Sequence, residues 1–404
     1  MLPLPGDTER ALAAAVAGYL GGLSAARIAA AEAVGRLPAE VIADLGRLGV
    51  LGMTVPEEDG GLGASAVAFA LVLEELAAAW PSLAVGISVS SGIVAGSLVR
   101  FGTAEQKARF LPRLRDGSGL GAFCLTEPTA GSDAASLRAT ARREGDGWVL
   151  TGQKLFVTSA RYAPFAIVLA RLGAGAGAPG VGAPGHVGTS EATEPARPHA
   201  GISAFLVPLD SPGVVVGKAE RKMGLLASDT AAVAFDGVRL RSDALLGPLG
   251  RGFGVVALAG LDSGRIGIAA QAVGIARGAL DRAVAYARQR RQFGRRVAEF
   301  QAIRFALARA RAEIDAARLL ILRAAWLKDT GRPFTREAAQ AKLYASEAAG
   351  RVTHLAVQVL GGYGYMREYE VERYARDARA TSIYEGTNEV QRLVIARSLL
   401  AEAA

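Results

Sequence analysis

The spacing of hydrophobic residues changes twice along this 404-residue sequence. In residues 1–120 apolar side chains recur at intervals of three and four residues, which predicts amphipathic helices. Residues 121–245 contain short runs of β-branched and aromatic residues separated mainly by Gly, Pro and Asp, the pattern of strands and turns. Helical spacing returns in residues 246–404. We therefore predict an α+β protein in which an N-terminal helical domain, a middle β domain and a C-terminal helical bundle follow one another.

One low-complexity stretch interrupts the predicted β domain. Residues 173–200 are rich in Gly, Ala and Pro and lie between two predicted strands, which indicates a flexible surface insertion. Within it Gly175, Gly177 and Gly180 match the dinucleotide-binding spacing GxGxxG. That motif functions where it leads into a helix, and Pro179 with the surrounding glycines disfavours a helix. We therefore predict no dinucleotide-binding unit there.

The composition narrows the classes of protein to which the chain could belong. No uninterrupted apolar run reaches about 20 residues, so we predict no membrane span, and residues 83–99, which come nearest, are interpreted as a buried helix. The single cysteine, Cys124, and the absence of a secretory pattern at the N-terminus indicate a cytoplasmic protein. Three isolated histidines do not suggest a metal site. The net charge of +8 is spread along the chain, so we do not expect nucleic-acid binding.

Two motifs of the β domain could hold a ligand. In residues 123–133, Thr126 offers a hydroxyl, and Ser132 follows a glycine in a bend with accessible N–H groups, although an ordinary turn would explain the pattern equally well. In residues 154–159, Phe156 stands beside two hydroxyl residues. For this second motif alone, a strand with Phe156 directed into the core is the simpler interpretation.

Two further motifs follow in the C-terminal segment. Residues 290–294 begin with Arg290 at a predicted helix end, where it could pair with a phosphate or simply be solvated. Residues 358–365 contain Gly361 and Gly362, and two adjacent glycines exceed what one helix end requires. They suggest close approach of a ligand or another chain, and a plain helix end remains an equal alternative.

The last motif, residues 383–388, places Glu385 between a tyrosine and a glycine, just before the last predicted helix. Thr387 is a suitable first cap for that helix, and Glu389 suits its first turn. A glutamate in an apolar pocket would have a raised pKa and could accept a proton. Considered alone, the segment favours a solvent-facing glutamate.

In this order and spacing the motifs resemble the acyl-CoA dehydrogenase family along essentially the whole chain, beginning with the sequence VPEEDGGLG at residues 55–63. From residue 261 onward the sequence is most similar to the short-chain, butyryl-CoA-type branch. The resemblance implies a helical, β-barrel, helical subunit that forms a homotetramer and binds FAD between the β domain and the C-terminal helices. It implies dehydrogenation of an acyl-CoA to the trans-2-enoyl-CoA in fatty-acid β-oxidation, with an electron-transfer flavoprotein as acceptor.

The resemblance also assigns roles to individual residues. Glu385 matches the family's catalytic base, which some branches carry instead at the position of Gly264. The positions that match FAD contacts, several of them toward the FAD of a neighbouring subunit, are Leu125, Thr126, Ser132, Phe156, Thr158, Arg290, Gln292, Phe293, Gln358, Gly361, Gly362, Thr387 and Glu389. The positions that match acyl-CoA contacts are Ser132, Asp262, Arg265 and Gly386.

Two departures and two alternatives accompany this interpretation. Many family members have tryptophan where Phe156 stands, and residues 224–228 lack an arginine often present in that loop. An acyl-CoA oxidase-like or flavin monooxygenase-like relative would share the fold and differ in whether the reduced flavin meets oxygen. A non-catalytic binding protein for acidic partners is a more distant alternative.

Overall fold

The computed structural model describes residues 5–173 and 199–402. The predicted insertion at 173–200 and the GxGxxG match within it therefore lie almost wholly outside the described residues.

The N-terminal region is helical, as its apolar spacing predicts. Its helices begin at side-chain caps: the Ser24, Ser65 and Thr103 hydroxyls each accept a hydrogen bond from a backbone N–H of the first turn, which satisfies donors that a helix leaves unpaired. The helices are α1 (Asp7–Gly21), α2 (Ala25–Val34), α3 (Ala39–Arg47), α4 (Ala66–Ala79), α5 (Pro81–Ile87), α6 (Gly96–Phe101) and α7 (Ala104–Arg115).

A π-helical segment, Ser88–Ala95, joins α5 to α6 and makes one long apolar helix of them. The prediction of a buried helix at 83–99 is confirmed, since most of this stretch is buried in the core. Two helices of the described residues are nevertheless long and apolar enough to span a membrane by length and composition, so the absence of a membrane span stays a prediction. Pro81–Phe101 and Phe253–Gln289, with mean hydropathies of 1.8 and 1.4, both qualify, and α1 with α2 would qualify as one bent pair. In these two helices, 89% and 61% of the qualifying window is buried inside the protein.

The middle region forms one eight-stranded sheet in the described residues, in the order β6-β7-β3-β2-β4-β5-β8, with β1 beside β4. Strands β1 and β2 run parallel to β4, and the other pairings are antiparallel. The strands are β1 (Ala122–Cys124), β2 (Thr140–Glu144), β3 (Gly147–Thr158), β4 (Phe165–Leu172), β5 (Ile202–Pro208), β6 (Val214–Ala219), β7 (Thr230–Leu240) and β8 (Leu245–Leu246).

The C-terminal region is helical again. A π-helical turn, Phe253–Ala257, leads into the first long helix, and a short hairpin of β9 (Arg291–Gln292) and β10 (Arg295–Arg296) follows it. Helices α9 and α10 are each followed by a glycine with positive φ, Gly331 and Gly361, where the backbone leaves the helix. The helices are α8 (Leu258–Gln289), α9 (Gln301–Asp329), α10 (Thr335–Leu360), α11 (Val371–Thr381) and α12 (Asn388–Glu402).

The N- and C-terminal helices share one hydrophobic core, in which residues of α4 such as Leu73 pack with residues of α8 and α10 such as Val273 and Val352. This common core holds α8 and α10 against each other. It thereby fixes the position of the segment between α11 and α12, which contacts both helices. The predicted fold class is confirmed, whereas the domain boundaries at 120/121 and 245/246 stay predictions.

Candidate active site

Glu385 lies in the short segment between α11 and α12, and its backbone is unusual. Its φ is 52°, in the left-handed region, and the next residue, Gly386, has φ 87°. The left-handed conformation costs a non-glycine residue about 1–2 kcal/mol, so the surrounding structure must hold it in place. Residues held in this way concentrate at functional sites.

The Glu385 carboxylate is buried although the residue as a whole is half-buried. Neither carboxylate oxygen makes a hydrogen bond to any described residue. The carboxylate lies against the bare backbone of α8, where a Cβ atom on Gly264 would overlap its Oε2 atom. Burial raises the pKa of Glu385 from 4.5 to about 7, while the positive charges of Lys342 and Arg265 oppose the rise. The solvent-facing glutamate favoured by the segment alone is thus wrong for the carboxylate.

Lys342, on α10, is fully buried beside this segment. Its Nζ donates to the Gly386 carbonyl oxygen (2.8 Å) and to Asn388 Oδ1 (3.1 Å). Burial lowers the pKa of Lys342 to about 8. None of the sequence motifs includes this residue. The sequence contains a signal for it, because Lys342 lies at helical spacing from Ala338, Ala345 and Ala349, and a lysine on such an apolar face needs a partner.

Two more side chains anchor the segment. The Tyr384 hydroxyl donates to Gln271 Oε1 on α8 (2.5 Å), and the Gln271 amide donates to the Pro81 carbonyl at the start of α5 (3.0 Å). Gln391 Nε2, on α12, donates to the Gly386 carbonyl (2.8 Å). The segment that carries Glu385 is therefore held by α8 and α12 in addition to α10, and α5 in turn holds Gln271 of α8.

Asp262 and Arg265, the predicted acyl-CoA contacts on α8, form an ion pair with each other one turn apart. The Thr335 hydroxyl donates to the second carboxylate oxygen of Asp262 (2.6 Å). Arg265 is buried, and its Nε has no partner among the described residues. The structure thus brings Arg265 near Glu385, where its charge affects the carboxylate.

The loop that carries Leu125 and Thr126 is held against strand β3. Leu155 N–H donates to the Thr126 carbonyl (2.9 Å), and Lys154 Nζ donates to the Leu125 carbonyl (3.1 Å). Lys154 also forms a buried ion pair with Glu127 (2.8 Å). Both predicted residues are half-buried, whereas Ser132, farther along the loop, is exposed.

Phe156 protrudes from strand β3. The pairing of β3 with β7 shifts register between Lys154 and Val157, and within this bulge Phe156 has φ 55° and is 64% exposed. The interpretation that it points into the core was wrong, because a bulge redirects side chains out of the alternating pattern. Thr158, two residues on, is half-buried. The strand therefore offers an aromatic surface to a planar ligand.

Several predicted FAD contacts lie on or near the exposed β9–β10 hairpin. At its tip Phe293 (φ 51°) and Gly294 (φ 74°) form a turn with two left-handed residues, and Phe293 is 92% exposed. The Arg290 guanidinium lies over the Tyr363 ring, 5.3 Å from its centre. Gln292 and Gln358 are also exposed.

The Gly361-Gly362 pair follows α10 beside that hairpin group. A Cβ atom on either glycine would meet no described atom within 4 Å. Packing within the described part of the chain therefore does not explain why both positions are glycine, although Gly361 has a φ of 62°.

A groove runs along the start of α12. Thr387 caps this helix by accepting a hydrogen bond from Val390 N–H (3.4 Å), and Glu389 is exposed in its first turn. Three arginines line the groove together with Glu347 and Glu389, and both glutamates form ion pairs with Arg392. The lining residues include Arg351, Arg379, Ile383, Thr387, Asn388, Glu389 and Arg392.

Other candidate chemistry is weaker in the described ranges 5–173 and 199–402. They contain no group of three or more His, Cys, Asp or Glu side chains arranged to hold a metal ion. Cys124 is buried, and burial raises the pKa of its thiol to about 12, which makes it a poor nucleophile.

The chain is similar to known proteins in all three of its regions. Models of the N-terminal, middle and C-terminal domains of acyl-CoA dehydrogenases match residues 6–118, 122–238 and 250–400. The chain is 45% identical over 365 residues to the mitochondrial short-chain specific acyl-CoA dehydrogenase of Bos taurus, covering 90% of this chain and 83% of that protein.

Solved structures are similar over the same extent. The butyryl-CoA dehydrogenase of Megasphaera elsdenii is 39% identical with a TM-score of 0.90, covering 99% of this chain and 100% of that chain. A glutaryl-CoA dehydrogenase from Mycobacterium smegmatis, in complex with FADH2, is 31% identical with a TM-score of 0.88, covering 99% and 96%.

Proposed function

This chain belongs to the acyl-CoA dehydrogenase family, whose members are FAD-dependent enzymes, and from that premise we propose that Glu385 is the base of its reaction. In the proposed reaction the α and β hydrogens of an acyl-CoA thioester are removed to give the trans-2-enoyl-CoA. The observation that carries the proposal is a carboxylate with both oxygens buried, no hydrogen-bond partner in the described residues, and a pKa raised to about 7 by burial.

The residues of this chain fit FAD. Phe156 offers an exposed aromatic face beside the Leu125–Thr126 loop, and Gly361 and Gly362 leave open space next to the exposed hairpin. When bound, FAD supplies the hydride acceptor, its N5 atom. The residues proposed to hold it are Leu125, Thr126, Ser132, Phe156, Thr158, Thr387 and Glu389, with Arg290, Gln292, Phe293, Gln358, Gly361 and Gly362 directed to the FAD of a neighbouring subunit.

The residues of the Glu385 segment can do two things to the substrate. The ionised carboxylate accepts the α proton, because a buried and unpartnered oxygen is available for it. The Glu385 N–H makes no hydrogen bond among the described residues, so it can donate to the thioester carbonyl oxygen as negative charge develops there. A preformed donor of this kind contributes about 3–4 kcal/mol to stabilising the transition state.

The substrate and partners are also proposals. Asp262, Arg265, Ser132 and Gly386 are proposed to contact the acyl-CoA, with a short acyl chain as in the similar bovine enzyme. A homotetramer, an electron-transfer flavoprotein as acceptor and a role in β-oxidation are proposed from the same family membership, and a cytoplasmic location is proposed from the single cysteine. The Phe293 hairpin supports the proposed tetramer, because its aromatic side chain is 92% exposed and is available to a neighbouring subunit.

Glu385→Gln tests the base. It keeps the size of the side chain and removes its ability to accept a proton, so we expect unchanged FAD content and a rate of anaerobic flavin bleaching at least about a thousandfold lower with a panel of acyl-CoAs. In the wild-type enzyme this rate should rise as the pH passes through about 7, because the base acts only when it is unprotonated.

Two results would contradict these proposals. Turnover retained by the Glu385→Gln enzyme would exclude the base, and a purified protein that takes up no FAD would exclude the reaction. The same bleached enzyme, exposed to air, separates a dehydrogenase from an oxidase-like relative, since rapid peroxide formation would indicate the latter.

A further inference from the structure

Lys342, a fully buried cation, lies under the turn that carries Glu385. Lys342 Nζ is bonded to the Gly386 carbonyl and to Asn388 Oδ1, one residue and three residues beyond Glu385. These two contacts bridge the turn from its left-handed residues to the first residue of α12. The turn itself contains two successive residues of positive φ, so it needs such support.

The Lys342 contacts are to neutral oxygens. Among the described residues Lys342 forms no ion pair, so its charge is not directly neutralised. Arg265, the other cation facing Glu385, is paired with Asp262 on its own helix. The charge of Lys342 therefore remains available to the nearby Glu385 carboxylate, with Glu389 of α12 as the other acid that acts on it.

We propose that Lys342 is a positioning residue of the reaction, which holds the Glu385–Asn388 turn in its active form and sets the charge environment of the base. The proposal rests on the proposed function in one respect, that Glu385 is the base. Lys342 does not need to touch the substrate. It acts through the Gly386 carbonyl, the Asn388 amide and its charge.

The charges of Glu385 and Lys342 both depend on pH. The charged and titratable groups that act on Glu385 or Lys342 are Arg265 of α8, Glu389 of α12 and Tyr384, which precedes Glu385 in the same segment. Burial raises the pKa of Glu385 to about 7 and lowers that of Lys342 to about 8. The base is active and its counter-charge is present when the carboxylate has lost its proton and the ammonium has kept its own.

The test uses the holoenzymes of Lys342→Met and Lys342→Gln. The methionine variant removes both donor and charge, whereas the glutamine variant retains an N–H donor without charge. The ionisation of Glu385 is followed by infrared spectroscopy with ¹³C-labelled glutamate, and Glu385→Gln serves as the blank. Because an opposite charge within a few ångströms shifts a pKa by one unit or more, we expect the Glu385 midpoint to rise by about one pH unit in both variants.

Turnover measurements distinguish the effect of the Lys342 hydrogen-bond donor from the effect of its charge. At pH 7 a midpoint raised from about 7 to about 8 leaves about a tenth of the base ionised in place of about half, so we expect turnover about fivefold lower in both variants. The methionine variant should lose more, because the Gly386 carbonyl also loses its donor. Ser346→Ala is the matched control: its hydroxyl donates to the same Asn388 Oδ1 (3.0 Å) and carries no charge, so the Glu385 midpoint should not move.

The outcomes distinguish the two proposals. An unchanged Glu385 midpoint in both Lys342 variants would overturn the role of Lys342, whatever the base proves to be. If the methionine variant does not fold, the glutamine variant decides the question by the same titration. Turnover retained by Glu385→Gln would remove the proposed function, while a shifted midpoint would still establish that Lys342 controls the ionisation of Glu385.

Discussion

At the scale of single residues, Gly264 determines whether the carboxylate of Glu385 can lie where it does. No side chain at that position of α8 separates the helix backbone from the carboxylate, and a Cβ atom there would overlap Oε2. The family resemblance indicates the same adjacency, because it places the base of some branches at this position. The position of the Glu385 carboxylate therefore requires glycine at position 264.

Gly264→Ala should displace the Glu385 carboxylate without removing it. A misplacement of about 1 Å at a reacting group can lower the rate about 100-fold, so we expect a loss of that order in flavin bleaching with FAD content unchanged. Gly350→Ala in α10 is the control, because a Cβ atom there would meet nothing within 4 Å. Equal activities of the two variants would show that the carboxylate does not need this space.

At the scale of secondary-structure elements, strand β3 positions the predicted flavin-binding residues by two devices. The bulge at Phe156 turns that ring outward, and the Lys154–Glu127 ion pair fixes the preceding loop to the strand. Glu127 also accepts hydrogen bonds from the N–H groups of Arg138 (2.6 Å) and Ala139 (2.9 Å), so its buried carboxylate is fully engaged. A buried pair of this kind fixes geometry more dependably than it adds stability.

Lys154→Met should leave Glu127 as a buried charge without its cation. We expect a loss of about 3–5 kcal/mol in the free energy of unfolding and weaker FAD retention, measured by denaturation and by flavin release. The double variant Lys154→Met/Glu127→Gln removes both charges and should recover part of the stability. A double variant less stable than Lys154→Met would contradict this explanation.

At the scale of the whole molecule, the loop after β6 links all three regions. Ala227 N–H donates to Glu32 on α2 (3.1 Å), which also accepts from the Trp80 indole (2.7 Å), and Leu225 N–H donates to Asp377 on α11 (2.5 Å). Burial, and secondly the charge of Glu32, raise the pKa of Asp377 to about 7. This is the loop, residues 224–228, that lacks the arginine often present in the family.

Asp377→Asn should change how stability depends on pH. The raised pKa means that folded Asp377 keeps a proton which the unfolded chain releases above about 3.8, so its stabilising contribution falls as the pH rises toward 7. Relative to the wild type, the asparagine variant should gain about 2 kcal/mol in the free energy of unfolding between pH 5 and pH 8, most of it below pH 7.

Chemical denaturation at several pH values measures this difference. Asp236→Asn, at an exposed position, is the control and should show no such trend. A constant difference between the Asp377→Asn and wild-type proteins across that range would show that Asp377 is already ionised at pH 5.

The sequence by itself determined the order of the elements and the identity of the family. Hydrophobic spacing and turn residues act locally, and they sufficed to predict helices, then a sheet, then helices. The family resemblance depends only on the order and spacing of motifs along the chain. Glu385 lies within one of these motifs, so it could be identified without the structure. The apolar pattern of Ser88–Ala95 predicts a plain helix, because hydrophobic spacing does not distinguish an α-helix from the π-helical segment found there.

Only the tertiary structure decided which residues meet. Lys342, Lys154 and Gly264 were not assigned these roles because each acts on residues distant in sequence: Gly386, Glu127 and Glu385. Phe156 turned outward because a bulge broke the alternation on which its predicted direction depended. Burial and the ionisation of buried groups depend on the packing of α8, α10 and the Glu385 segment, and no local pattern contains that packing.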